Sequence, residues 1–464
     1  MSFTKLISAP EGHLSEETLK ATPVSRRQLM GLSVISALSY SLTTSNRAIA
    51  SSSGEHLRPW MTSPGNPVAM TPYGQPSKYQ KGLARITRPR LSPLPQNSAS
   101  FAPLQGMMGI ITPSGLHYER HHSGWPDIDP RQHELLISGL DNSFVTKPKI
   151  FTLEDLQRLP SVSRIHFIEC SGNTGSERKG VAAPTVQYTH GLLSCSEFTG
   201  VPLRMLLEVC GADLKRGKYI LAEGADAAGL TRTIPMSMVL SDEVLVAYGQ
   251  NGEYLRPENG YPLRLVVPGV QGVSWVKWLK RIELGDKPYG ARDEAIHYID
   301  PMPDGTHRQY TSLQEVKSVI TNPSGGQRLH GHGYTKITGL AWSGRGKVKH
   351  VDISTDGGRS WKEARFSGEV LPKSLTRFEF DWEFNGQEAI IQSRATDETG
   401  HVQPTYAQYR AVRGNESLYH NNAIQSWGID ANGEVSNVQI TEIDKHQRLR
   451  GVLPTATRFI RRLK

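Results

Sequence analysis

A short apolar strand that runs directly into one cysteine and a loop of small residues is the feature that most constrains this chain. Residues 164–173 read RIHFIECSGN, and the pattern predicts a strand over 165–170 that ends at Cys170. Gly172 leaves room for a bulky group to approach the backbone. A thiolate at such a corner suits ligation of a soft transition metal or a nucleophilic role. The alternative is a buried cysteine that packs as a small hydrophobe.

Four segments in order resemble one enzyme family. Cys170-Ser171-Gly172-Asn173 resembles the Cys-Ala-Gly-Asn element of the sulfite oxidase family of molybdenum enzymes, and Arg120-His121-His122 resembles that family's Arg-Asn-His. Downstream, residues 261–270 (YPLRLVVPGV) and 276–279 (VKWL) resemble two further family blocks. The resemblance covers about residues 116–412 and implies a molybdenum-molybdopterin cofactor. It also implies the fold class: α+β, with a mixed molybdopterin domain followed by an immunoglobulin-like β-sandwich used for dimerisation.

The resemblance also implies three residues at the reacting centre. Cys170 matches the cysteine that ligates molybdenum in the family. Arg120 matches the substrate arginine, and a planar guanidinium suits sulfur oxyanions because it donates two parallel hydrogen bonds. Tyr298, in the run Glu-Ala-Ile-His-Tyr, lies near the family's active-site tyrosine, whose hydroxyl would bond a metal oxo group or a substrate oxygen.

A larger set of positions matches residues that bind the pterin in the family. Asp226 would accept pterin N–H groups, while Arg264 and Lys277 would offset phosphate charge. The full set implied for cofactor binding is Tyr118, Glu119, Arg120, His121, His122, Ser171, Gly172, Asn173, Asp226, Asn259, Arg264, Ser274, Trp275, Val276 and Lys277. Three of these depart from the animal enzymes, since Asn259, Ser274 and Trp275 stand in place of a histidine, an arginine and a histidine.

The substrate expectation comes from a missing charge. Gly175 stands five residues after the cysteine, where animal sulfite oxidases carry a second substrate arginine. A wider, less cationic mouth favours a sulfane sulfur chain presented on a carrier protein, as in the branch of the family that oxidises sulfane sulfur. Because this chain carries no haem motif, the resemblance implies that electrons leave through a separate c-type cytochrome.

The amino terminus resembles a twin-arginine export signal. Ser25-Arg26-Arg27-Gln28-Leu29-Met30 opens a mildly apolar run to Leu42, and Ala48-Ile49-Ala50 resembles a cleavage site. The alternative is a membrane anchor, but the run is short and rich in serine. Residues 1–50 are therefore predicted to be a cleaved signal that sends a folded, cofactor-loaded protein to the periplasm, and nothing after Ala50 is predicted to span a membrane.

Composition excludes several other classes of protein. The net charge of +9 falls to +7 without the five basic and three acidic residues of the signal, a modest excess that favours anionic substrates or an acidic partner. The basic residues are dispersed and no nucleic-acid module is present. The three cysteines, Cys170, Cys195 and Cys210, form no Cys-x-x-Cys pair, which excludes a zinc ribbon and a c-type haem attachment in this chain. Cys210 is expected in the core, and a Cys195–Cys210 disulfide stays open as an alternative.

The pattern along the chain predicts five segments. Residues 1–50 are the signal and 51–104, with nine prolines, are an arm or linker. Residues 105–322 mix strands with short helices at 152–159 and 203–209, as a catalytic domain requires, and 323–440 alternate as a β-sandwich does. Ser354 to Trp361 resembles an Asp-box but occurs once, so it predicts a single hairpin rather than a propeller. Residues 441–464 are a basic tail, either solvated or docked to a partner.

These observations predict a periplasmic molybdopterin oxidoreductase of a reduced sulfur species, a homodimer within a hetero-oligomer. One alternative is a sulfite dehydrogenase that acts on the free oxyanion. Another is a relative without activity that serves as a binding or assembly subunit. Metal content and substrate range distinguish the three.

Overall fold

The computed structural model describes residues 73–440 apart from 75, 81, 88–92, 242, 310–312 and 417. The described residues from Ser77 to Ile440 belong to one compact unit. The predicted export signal and basic tail lie outside the described residues. No helix within the described part of the chain is long and apolar enough to cross a membrane. Cys170, Cys195 and Cys210 are free thiols, so the alternative of a disulfide is wrong.

Two five-stranded sheets form the predicted α+β part. One is mostly antiparallel with a single parallel pair, and its strands in spatial order are Lys149–Phe151, Leu135–Gly139, Leu279–Gly285, Tyr219–Gly224 and Thr231–Pro235. The other contains the strand that leads into Cys170. Its strands are Glu253–Tyr254, Leu245–Gln250, Leu193–Pro202 and Val162–Glu169, with Arg264–Val266 also paired to Leu245–Gln250. The predicted strand before Cys170 is therefore present and begins three residues earlier than expected.

A small sheet draws part of the predicted arm into the folded unit. Ile86–Thr87 and Ser98–Phe101 pair antiparallel with each other, and Ser98–Phe101 pairs with Glu119–His121. Four residues are too few to show a period, and their stability comes from pairing with a strand some 20 residues away. This sheet fixes the direction of Arg120 and His121. A further two-stranded sheet, Ile299–Pro301 with His307–Gln309, follows Tyr298.

The carboxy-terminal part is the predicted immunoglobulin-like sandwich. The first sheet has the order Lys317–Asn322, Gly333–Trp342, Thr376–Phe384 and Arg365–Phe366, and the second has Lys362–Glu363, Val348–Ser354, Ala389–Asp397, Ser426–Ile429 and Val435–Val438. The Asp-box-like segment is a single hairpin. Its Asp356 carboxylate accepts the backbone N–H groups of Arg359 and Ser360, both at 3.0 Å.

The helices are short. The α-helices are Leu153–Gln157, Val186–His190, Leu203–Val209, Met236–Val239, Arg292–Ala295 and Tyr406–Arg413, and the 3-10 turns are Leu104–Gly106, Ser114–Leu116, Gly175–Lys179, Pro257–Asn259 and Gly272–Ser274. The first helix begins where a reciprocal capping box predicts, with Thr152 and Asp155 bonding each other's backbone N–H. One apolar core runs through both parts, and the rings of Phe167 and Trp342 meet there at 6.5 Å between centroids.

Candidate active site

Cys170 lies at the corner between its strand and the following loop. Its backbone N–H donates to the Leu192 carbonyl at 3.0 Å, and its carbonyl accepts from the Asn173 N–H at 2.9 Å, so both sides of the corner are fixed. The thiol is partly exposed to a cavity, unlike the fully buried Cys195 and Cys210. Burial raises the pKa of the Cys170 thiol, although the Arg120 charge and the Gly172 N–H oppose that shift. A thiol held in this way needs a strong cation to ionise, which a metal supplies.

The cavity below the thiol gathers most of the residues implied by the sequence. The space between its lining residues is about 710 Å³, a volume that includes open solvent. The predicted residues that line it are Tyr118, Arg120, His121, His122, Cys170, Asp226, Asn259, Arg264, Trp275, Lys277 and Tyr298. These come from five separate stretches of the chain. The structure therefore brings together the reacting centre and the positions implied for the pterin.

Six other predicted residues sit behind the cavity wall. Asn173 supports the loop, because its amide donates to Glu169 Oε1 at 2.9 Å and accepts the Leu192 N–H at 3.2 Å. Glu119 pairs with Arg85 and with His121 Nε2. Ser171, Gly172, Ser274 and Val276 are likewise absent from the lining.

Several residues that line the cavity were not predicted from the sequence, and most of them lie next to a motif that was recognised. His117 precedes Tyr118, and Trp278 belongs to the VKWL segment. Gly272 allows a close approach, since a Cβ there would lie 2.7 Å from the Tyr118 hydroxyl and 3.0 Å from the Glu169 carbonyl. The sequence pointed to His117 and Trp278 only because they lie next to recognised motif residues, and it gave no indication of Gly272.

Buried polar atoms around the cavity lack partners within the described part of the chain. They are His117 Nε2, Asp226 Oδ1, Asn259 Nδ2 and Arg264 Nε. The rest of the Arg264 guanidinium is fixed, because it donates to the carbonyls of Asn259 at 3.0 Å and Trp275 at 3.3 Å. Unsatisfied buried polar atoms are costly, so a set of them facing one cavity indicates a polar ligand. A pterin with a phosphate offers N–H donors for Asp226 Oδ1 and for His117 Nε2, which is an acceptor because His117 is neutral and its Nδ1 donates to the Tyr118 carbonyl. It also offers oxygens for the N–H groups of Asn259 and Arg264.

The cavity favours an anion. Burial and the neighbouring Arg264 charge lower the pKa of Lys277 to about 7, and its Nζ lies 2.9 Å from His121 Nδ1 and 3.0 Å from the Glu258 carbonyl. Burial lowers the pKa of His121 and of His122 to about 4, so both imidazoles are neutral at pH 7. The positive charge is therefore carried by Arg120, Arg264 and Lys277. A phosphate would offset it and restore the charge on Lys277.

Tyr298 lines the same cavity. Its backbone adopts φ of 56°, a left-handed conformation that an aromatic residue rarely takes. Its hydroxyl lies 3.0 Å from His122 Nε2, and its ring packs on Tyr419 at 4.7 Å between centroids. Burial raises the pKa of Tyr298 well above its usual range, so the hydroxyl remains a neutral donor at physiological pH.

The carboxy-terminal part contacts the loop that follows Cys170, which sequence reasoning missed. The segment after helix Tyr406–Arg413 crosses the loop of Cys170, and the His420 N–H donates to the Ser171 carbonyl at 2.8 Å. A Cβ on Gly175 would lie 3.3 Å from the Leu418 carbonyl. Gly175 itself does not line the cavity.

The fold and cavity define a molybdopterin-binding oxidoreductase with a carboxy-terminal dimerisation domain. Family models agree: residues 122–292 match the oxidoreductase molybdopterin binding domain, and residues 308–427 match the Mo-co oxidoreductase dimerisation domain. The chain belongs to the sulfite oxidase family, as its segments implied, and it is an enzyme of the class that acts on sulfur compounds.

Two relatives and one solved structure show the extent of the similarity. Sulfite oxidase of Gallus gallus is 31% identical over 318 residues, which cover 64% of this chain and 68% of the relative. The mitochondrial enzyme of Mus musculus is 31% identical over 330 residues, covering 66% and 60%. The crystal structure of the sulfane dehydrogenase SoxCD from Paracoccus pantotrophus contains a chain that is 45% identical, with a TM-score of 0.80, covering 83% of this chain and 98% of that one.

Proposed function

We propose that this enzyme oxidises sulfane sulfur carried on a protein, in the periplasm, and passes the electrons to a c-type cytochrome. The observation that carries the proposal is the cavity itself, in which the Cys170 thiol, the Arg120 guanidinium and the Tyr298 hydroxyl face one cationic space. The solved chain that is 45% identical belongs to a sulfane dehydrogenase, which favours sulfane sulfur as the substrate class.

Each cavity residue has a role in this proposal. The bound molybdenum cofactor would take two electrons from the sulfur and deliver to it an oxygen that originates in water. The Cys170 thiolate would ligate the metal, and Asp226, Asn259, Arg264 and Lys277 would hold the pterin and its phosphate. Arg120 is held by bonds from Nη1 to Asn97 Oδ1 at 2.8 Å and to the His121 carbonyl, which positions the guanidinium to bind a sulfur oxyanion. The Tyr298 hydroxyl would donate to a substrate oxygen.

A carrier-bound substrate is favoured over free sulfite for one reason. A small dianion is best bound by two guanidinium groups, and this chain has a glycine at position 175, where the animal enzymes carry the second arginine. One arginine suffices when a carrier protein supplies binding energy outside the cavity. The predicted homodimer would form through the carboxy-terminal domain within a hetero-oligomer that includes the cytochrome.

A substrate panel tests the proposal. Full-length protein, matured in a host that makes the cofactor, is assayed for cytochrome c reduction with carrier-bound sulfane sulfur and with free sulfite. We expect kcat/KM to be higher for the carrier-bound substrate and no reduction by a Cys170→Ser variant. Efficient turnover of free sulfite, without gain from the carrier, would instead identify a sulfite dehydrogenase. A protein that turns over neither would be a binding or assembly subunit.

A further inference from the structure

A lysine and a glutamate form an ion pair in the interior directly behind Cys170. Lys317 Nζ lies 2.8 Å from Glu169 Oε1, and the two side chains are 2% and 5% exposed. Lys317 begins the first strand of the carboxy-terminal sandwich, while Glu169 ends the strand that leads into Cys170. The pair therefore joins the dimerisation domain to the residue that precedes the thiol.

The same ammonium also holds the far end of the loop. Lys317 Nζ donates to Thr174 Oγ1 at 2.9 Å, four residues after the thiol. Thr174 has φ of 58°, which is strained for a β-branched residue. Such a conformation persists only where surrounding contacts impose it. The Lys317 side chain thus bonds to residues at both ends of the loop that carries Cys170.

Both carboxylate oxygens of Glu169 accept hydrogen bonds. Its Oε2 accepts the Trp342 indole N–H at 2.8 Å, and its Oε1 also accepts the Asn173 amide at 2.9 Å. Trp342 comes from the second strand of the sandwich, so a second bond ties the same carboxylate to that domain.

Stability alone is a weak reason for such a pair. Burial lowers the pKa of Lys317, because desolvation disfavours the charged ammonium. The nearby Glu169 charge opposes that shift. Apolar residues of similar volume often replace a buried ion pair without loss of stability, whereas removal of one partner is strongly destabilising. A directional contact, unlike an apolar one, fixes the loop in one geometry.

We propose that Lys317 is a positioning residue for Cys170, holding the thiolate in the orientation that the metal requires. The inference rests on the proposed function, because it assigns Lys317 to the support of the metal ligand. Groups that orient metal ligands typically contribute 10- to 100-fold to activity or metal affinity.

The test separates positioning from stability. The variants are Lys317→Met and the double variant Glu169→Gln with Lys317→Met, which removes the ion pair without leaving a lone buried charge. Lys336→Met is the matched control, since Lys336 forms an exposed pair with Glu379 at 3.0 Å in the same domain. Each full-length, cofactor-loaded protein is measured for molybdenum content, for the electron paramagnetic resonance spectrum of its half-reduced metal, for kcat per bound molybdenum, and for its thermal midpoint.

We expect Lys317→Met to lower the thermal midpoint and the double variant to recover most of it. Both should show a shifted metal spectrum and a kcat per molybdenum lowered about 10- to 100-fold, while Lys336→Met matches the wild type. A double variant with the wild-type spectrum and wild-type kcat per molybdenum would overturn the inference, even if Lys317→Met fails to accumulate. Absence of molybdenum from the wild-type protein would contradict the proposed function instead.

Discussion

At the scale of single residues, the proposed chemistry depends on the Cys170 sulfur, whose pKa is raised by burial. We expect Cys170→Ser to abolish turnover while the protein stays folded, because a hydroxyl is a hard and weakly acidic ligand where a soft thiolate is needed. Turnover per chain and the thermal midpoint are the measurements. Cys195→Ser is the matched control, since its hydroxyl would lie near Ser374 Oγ, which is 3.3 Å from the present sulfur. Near-normal turnover in Cys170→Ser would remove the metal assignment.

A second residue tests substrate choice. We expect Gly175→Arg to shift preference toward free sulfite, because each charge-assisted hydrogen bond contributes roughly 1.5 to 3 kcal/mol. At about 1.4 kcal/mol per tenfold, the KM for sulfite would fall by one to two orders of magnitude once the side chain passes the Leu418 carbonyl. Gly175→Ala is the steric control and should not improve sulfite binding. An unchanged ratio of kcat/KM for the two substrates in Gly175→Arg would show that position 175 does not set specificity.

At the scale of elements, the sequence predicted strands and helices that depend on neighbouring residues. It missed contacts between residues that are far apart in the chain. The strand that leads into Cys170 and the helix Leu203–Val209 follow from short-range patterns, and they were predicted to within a few residues. The ion pair of Glu169 with Lys317 joins residues 148 apart, and Leu418, whose carbonyl lies beside Gly175, is more than 240 residues beyond it. No period or motif encodes such contacts, because they arise from the packing of two domains.

The amino-terminal element carries a prediction of its own. If residues 1–50 form a twin-arginine signal, then Arg26→Lys with Arg27→Lys should leave the precursor in the cytoplasm, because the export receptor reads the paired arginines. Cell fractionation followed by immunodetection is the measurement. Arg131→Lys with Arg158→Lys, two exposed positions outside the signal, would serve as the charge-matched control for export. Mature protein in the periplasm of the signal variant would contradict the proposed localisation.

At the scale of the whole molecule, buried histidines make stability depend on pH. Burial is the largest cause that lowers the pKa of His117 to about 3 and those of His121, His122 and His166 to about 4. Between those values and the ordinary 6.5, only the unfolded chain binds the protons, so the free energy of unfolding falls as the pH falls from about 6.5 to about 4. Each histidine contributes about 1.4 kcal/mol per pH unit to this slope.

His166 allows that slope to be checked away from the cavity. It lies against the Lys373 carbonyl at 3.3 Å. His166→Gln keeps a donor for that carbonyl and removes one titrating group. Denaturant unfolding at several pH values should give a slope shallower by about 1.4 kcal/mol per pH unit. An unchanged slope would show that His166 is not held neutral in the folded protein.

The central claim is that this cavity holds a molybdenum cofactor through Cys170. The most direct measurement is the molybdenum and pterin content of the full-length protein, purified from a host that makes the cofactor. We expect close to one molybdenum and one pterin per chain, with the metal reduced when a sulfur substrate is added. Protein that is folded and stable but carries neither metal nor pterin would contradict it.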